Sequence, residues 1–142
     1  AGTPLPPLAI GNSSAIREGH AVAFTGFPTA MLLGFHPTTH RGIISAITPV
    51  VQPGITARQL NAKMINRIRD AAYSVFQLDA TAYPGNSGSP LFDQDTGIVI
   101  GIINMVFVRG TRESAISNPS GITYAIPSRF IVELLSENGL SP

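Results

Sequence analysis

Tyr83-Pro84-Gly85-Asn86-Ser87-Gly88-Ser89-Pro90 sets two glycines and two prolines around Ser87, between an apolar strand and Leu91-Phe92. Glycine reaches backbone conformations closed to other residues, so successive N–H groups in such a loop can converge on one point while the Ser87 hydroxyl stays accessible. Acyl transfer needs that combination, a nucleophile beside donors aimed at a developing oxyanion. The same residue types also dominate ordinary surface turns between strands. Composition by itself leaves both readings open.

The rest of the chain narrows them. Its 142 residues suit one domain, residues 1–142, which would bury roughly two-thirds of the unfolded surface. A hydrophobic content of 44% with only 12% charged residues argues for extensive burial and against disorder. Nine basic residues against eight acidic ones leave a net charge of +1, and no Lys or Arg run could track phosphates, so no nucleic-acid partner is expected. With no cysteine there is no disulfide framework, no thiolate nucleophile and no cysteine zinc site. Gly, Pro or charge interrupts every apolar run short of the roughly 20 residues of a membrane helix, so no membrane partner is expected.

Short β-branched and aromatic runs at residues 22–25, 43–47, 74–78, 97–108 and 121–126, bounded by Gly and Pro, predict strands in a small antiparallel barrel or sandwich. Two segments break the pattern. In residues 56–72, Leu60, Met64 and Ile68 recur every four residues, with Thr56 as a cap, which predicts a helix. Residues 127–138 predict a second, with Pro127 opening it, Ile131, Leu134 and Leu135 on one face, and Gly139 as its stop.

Gly85-Asn86-Ser87-Gly88-Ser89-Pro90 resembles the nucleophile motif of trypsin-like serine proteases, and the surrounding chain is similar to the bacterial high-temperature-requirement family. The likeness runs in order through Ile10-Gly11-Asn12-Ser13-Ser14, Arg41-Gly42-Ile43-Ile44-Ser45-Ala46, Phe76-Gln77-Leu78-Asp79-Ala80, Ile98-Val99-Ile100-Gly101-Ile102 and Gly121-Ile122-Thr123-Tyr124-Ala125-Ile126-Pro127. It implies an all-β fold, the second antiparallel barrel of the two-barrel trypsin-like architecture, with an inserted helix and a C-terminal helix. It also implies a serine endopeptidase with Ser87 as nucleophile. By the same resemblance Gly85 and Ser87 supply the oxyanion donors, with Asn86 shaping the loop between them. Ala80, Thr81, Ala82 and Tyr83 would wall the primary specificity pocket, and Ile103, Asn104 and Met105 would pair with an extended polypeptide substrate. No cofactor or metal is implied.

Three departures from the family pattern stand out. Ser89 replaces a second glycine, as in glutamyl endopeptidases; Ala82 replaces a larger aliphatic residue and widens the pocket; and residues 48–73 exceed the family's usual loop. The helix predicted there either covers the barrel or regulates the site.

A serine hydroxyl needs a base, and the base an orienting group. His20, His36 and His40 all fall where the family has no catalytic residue, and Pro37 disfavours a helical metal pair from His36 and His40. A self-contained site would require His36 or His40 to fold over Ser87. Among the carboxylates, Asp79 matches a position near the pocket, Asp70 belongs to the predicted helix, and Asp93 and Asp95 lie in a turn before Gly97. The chain therefore reads as the C-terminal half of a two-barrel protease, its catalytic His and Asp contributed by an N-terminal barrel outside this sequence. Alone it is expected to be inactive and to self-associate through the face that barrel would cover. The family points to an extracytoplasmic location. A non-catalytic peptide-binding module of the same fold is the alternative.

Overall fold

Val22 and Phe24, both without exposed surface, lie two residues apart and so point to the same side of one strand. That side is the inside of a closed barrel. The computed structural model describes residues 5–28, 36–49, 74–104 and 122–141. Six strands are found among them: β1 (Ala21–Gly26), β2 (Thr38–Pro49), β3 (Ser74–Asp79), β4 (Pro90–Asp93), β5 (Val99–Asn104) and β6 (Ile122–Pro127). They close in the order β1-β2-β3-β6-β5-β4, every pairing antiparallel. The barrel reading is thereby selected over the sandwich.

β2 is twice the length of most of its neighbours and serves two of them. Its first half pairs with β1, from Gly26↔Thr38 to Ala21↔Ile43, and its second half with β3. A bulge between Ile44 and Ala46 marks the change, supplying the bend a closed sheet needs. Phe24, Ile44, Phe76, Leu78, Leu91, Ile103 and Val22 fill the interior and are all essentially inaccessible to solvent. Fully burying one such side chain is worth about 1.5–3 kcal/mol, so this layer dominates the favourable side of folding.

Several sequence-derived boundaries are corrected. The strand predicted at residues 43–47 begins at Thr38, so His40 sits within β2 opposite Phe24 rather than in a loop. The strand predicted from residue 97 begins at Val99, because Gly97 takes φ +71° in a turn that the Asp93 side chain organises. Pro90–Asp93 forms a strand that was not foreseen, since four residues opening with Pro carry little β signal.

The terminal helix α1 (Arg129–Glu137) starts later than expected, because Pro127 ends β6 opposite Gly101 instead of opening the helix. Ser128 stands at the helix start, but its hydroxyl donates to the Gly11 carbonyl at 2.7 Å, while the Arg129 N–H donates to Ser13 Oγ at 3.0 Å. The helix is thus moored to the N-terminal segment. Its other end is as predicted: Gly139 takes φ +69°, and the Leu140 and Gly139 N–H groups reach back to Leu135 and Ser136. The expected apolar face is only partly covered. Ile131 and Leu135 are half-buried, and Leu134 is 60% exposed.

The helix predicted at residues 56–72 lies outside the described residues. Among those described, no helix is long and apolar enough to cross a membrane.

Candidate active site

β3 and β4 follow one another in sequence but not in the sheet, so residues 80–89 must cross the end of the barrel. The crossing begins with a tight turn. The Asn86 N–H donates to the Tyr83 carbonyl at 3.0 Å, Pro84 occupies the second position and Gly85 the third with φ +103°. Proline second, a positive φ third and a closing bond from first to fourth residue define a type II turn. A second turn follows, closed by Ser89 N–H to Asn86 C=O at 3.1 Å. The loop is then sewn to β5: Gly88 N–H donates to Ile103 C=O at 2.8 Å, and Ile103 N–H to Ser89 C=O at 2.9 Å.

These bonds engage the N–H groups of Asn86, Gly88 and Ser89. Among the described residues, no hydrogen bond engages the N–H of Gly85 or of Ser87, nor the Ser87 hydroxyl. Gly85 and Ser87 are both exposed, so the two unengaged donors lie beside a serine hydroxyl open to solvent.

Asn86 lies beneath them with no exposed surface, and neither atom of its amide finds a hydrogen-bond partner. It packs against Gly26 at the end of β1, where an added Cβ would come within 2.5 Å of Asn86 Oδ1 and of Ser89 Oγ. Gly85 leans on the residue that follows the strand, since a Cβ there would approach the Phe27 carbonyl to 2.5 Å. The end of β1 is therefore the anvil on which the loop is shaped, a role that the sequence reading did not assign to Gly26 or Phe27. The glycine ending a strand ahead of Phe27-Pro28 was the available signal.

Among the expected pocket residues, Ala80 and Ala82 are buried, Thr81 is half-buried and Tyr83 is 40% exposed. Ile103 is only 1% exposed and both its backbone groups serve the loop. Ile103 thereby braces the loop that carries Ser87. Asn104 is half-buried opposite Tyr124, and Met105 lies outside the described residues.

The histidines do not gather at Ser87. His20 Nε2 meets Asp93 Oδ2 at 2.6 Å. His40 stacks on Phe24 at 5.1 Å between ring centroids and lies 5.8 Å from the Tyr83 ring, its Nε2 buried and unpartnered. His36 is exposed. Asp79 ends β3 at the surface, Asp95 is exposed in the turn, and Asp70 lies outside the described residues. Among the described residues, no cluster of His, Cys, Asp and Glu could hold a metal ion. A cleft of about 420 Å³ lies between the N-terminal segment and α1, lined by Ile10, Asn12, Ser13, Arg129, Val132 and Glu133 and by no residue of the loop that carries Ser87.

A family profile described as a trypsin-like peptidase domain matches residues 1–102. A probable periplasmic serine endoprotease, DegP-like, of Halomonas elongata is 33% identical over 123 residues, 87% of this chain and 20% of that protein. Serine protease PepD of Mycobacterium tuberculosis is 33% identical over 138 residues, 93% of this chain and 26% of that protein. The solved structure of the HtrA-type protease AlgW with a decapeptide superimposes with a TM-score of 0.63 at 30% identity, over 93% of this chain and 33% of that one. The chain thus spans about a quarter or less of these curated relatives and a third of the structural one.

Proposed function

The chain belongs to the trypsin-like peptidase domain family, and from that premise we propose that it is the nucleophile-bearing barrel of an HtrA-like serine endopeptidase. In this reading the Ser87 oxygen attacks a peptide carbonyl carbon while its proton passes to a histidine outside this sequence. The carbonyl oxygen, now negative, is received by the N–H groups of Gly85 and Ser87. Collapse expels the amine, which carries the proton away, and water then releases the acyl group from Ser87.

The observation that carries this reading is the pattern of engaged and unengaged donors. Three N–H groups in residues 85–89 are bound within the fold, while those of Gly85 and Ser87 are left for a ligand. An unpaired N–H is avoided unless solvent or a ligand satisfies it, and a single oxyanion donor is worth about 100- to 1,000-fold in rate. The type II turn is what turns the Gly85 donor outward, and Asn86 fixes the step between the two.

Ala80, Thr81, Ala82 and Tyr83 form the pocket wall, and Asn104 with Met105 meets an extended polypeptide; the AlgW relative was solved with a decapeptide, which supports a polypeptide ligand. The periplasmic naming of the Halomonas relative supports an extracytoplasmic workplace.

No described histidine bonds Ser87, which favours a second reading, a peptide-capturing barrel without chemistry. Labelling with a fluorophosphonate separates the two. The longest natural protein carrying this sequence should be modified at Ser87, and Ser87→Ala should abolish the signal, whereas residues 1–142 alone should react several orders of magnitude more slowly. Absence of labelling in the longer folded protein would leave the peptide-capturing reading standing.

A further inference from the structure

Thr123, on β6, is buried at 3% exposure and places its hydroxyl between two backbone groups of the pocket segment. Its Oγ1 donates to the Ala80 carbonyl at 2.5 Å and accepts from the Ala82 N–H at 3.0 Å. A hydroxyl has one proton and two lone pairs, so one side chain satisfies both groups at once. The bonds fall where the sheet stops supporting the chain. β3 ends at Asp79, paired with Ile43 on one side and Ile122 on the other, and Ala80 to Ala82 continues beyond it without a strand partner among the described residues. The opposite side is closed by β2: a Cβ on Gly42 would collide with the Asp79 carbonyl and lie 2.8 Å from the Ala80 Cβ. The arch is therefore pressed between a glycine and a hydroxyl. Thr81, the residue it carries, is half-buried while both flanking alanines are buried.

We propose that Thr123 is a positioning residue for substrate selection, its hydroxyl fixing the Ala80–Ala82 arch and so the wall that meets the substrate side chain on the acyl side of the cleaved bond. This rests on the reading of residues 80–83 as the pocket wall. Thr123→Val keeps the shape but leaves a buried carbonyl and a buried N–H unpaired, which the arch can relieve only by moving toward water. Thr123→Ser keeps the hydroxyl and loses one methyl.

The test uses the longest natural protein carrying this sequence, with three readouts. Peptides differing only in the residue before the scissile bond report selectivity as kcat/KM. A small alkyl fluorophosphonate, which places no side chain in the pocket, reports Ser87 itself. Hydrogen exchange reports the Ala82 amide. Thr123→Val should lower kcat/KM for the best peptide by about 10-fold or more and narrow the spread among peptides. Labelling of Ser87 should change by less than about 3-fold, and Ala82 should exchange at least about 10-fold faster with the Phe24 and Leu78 amides unaltered. Thr123→Ser should stay within about 3-fold of the parent throughout.

Unchanged selectivity in the folded Val variant overturns the proposal. So does a parallel fall of labelling and selectivity, which would make the hydroxyl a general prop of the loop, and so does a Ser variant that fails as the Val variant does. If the unsubstituted protein is not labelled, the protease reading fails instead. Calorimetric binding of the same peptides then replaces kcat/KM, and Thr123→Val must still bind them with narrowed selectivity.

Discussion

His20 Nε2 lies 2.6 Å from Asp93 Oδ2, joining the residue before β1 to the last residue of β4 across 73 positions of sequence. The carboxylate is fully engaged. Its other oxygen accepts from the Thr96 hydroxyl and N–H, both at 2.7 Å, and from the Asp95 N–H at 3.1 Å. A His–Asp pair in such a family invites a catalytic reading, but this one ties the start of β1 to the β4–β5 turn.

Acid titration follows from that arrangement. The Thr96 hydroxyl, then its N–H, hold the Asp93 carboxyl down from 3.8 to about 2, against the opposing effect of burial. A depressed carboxylate stabilises the fold fully above its unfolded pKa, and the contribution fades as pH falls through the folded one. Urea midpoints measured at successive pH values should therefore drop between about pH 4 and pH 2, and Asp93→Asn should flatten that limb. An unchanged limb in the variant would place the sensitivity elsewhere.

Gly85→Ala should separate loop geometry from global stability. A side chain at φ +103° is strained and would press on the Phe27 carbonyl, at about 1–3 kcal/mol. Fluorophosphonate labelling of Ser87 should fall at least about 10-fold, the loss of one misdirected oxyanion donor. Gly97→Ala, at φ +71° with open space around it, should cost stability alone and leave labelling intact.

The contact between Gly26 and Asn86 predicts a coupling. Gly26→Ala intrudes on Asn86 Oδ1 and Ser89 Oγ and should cost about 1–3 kcal/mol in chemical denaturation. In Asn86→Ala the unpartnered amide is gone and part of that room is freed. The double variant should be more stable than the sum of the singles by about 0.5–3 kcal/mol, and strict additivity would mean that the two residues do not share the strain.

Core and helix should respond very differently. Phe24, without exposed surface and stacked on His40, should cost about 3–5 kcal/mol on truncation to Ala. Leu134→Ala, on the exposed side of α1, should stay within about 0.5 kcal/mol. Equal losses would show that α1 packs more tightly than its exposure indicates.

What could be read from the sequence was local. β-Branched and aromatic runs bounded by Gly and Pro placed β1, β3 and β6 within a residue of their observed bounds, and Gly139 stopped α1 where it was expected. Pro127 misled because a strand end tolerates proline as readily as a helix start does. The loop that carries Ser87 was legible as a motif, but its division of N–H groups was not, since that depends on Tyr83, Ile103 and Gly26 arriving from three separate strands or loops. Thr123 was visible only as one residue of a closing strand. Its reach to Ala80 and Ala82 spans more than forty positions, and no local pattern encodes such a bond.

Because the loop bearing Ser87 runs between strands that are not neighbours, it holds no stave of the barrel against the next one. Apart from its two bonds to Ile103, rewriting it leaves the strand-to-strand pairings of the sheet in place. Under the proposed function, variation in this loop can therefore retune, silence or restore the chemistry while the strand order stays as it is, and a silent descendant would still be a barrel.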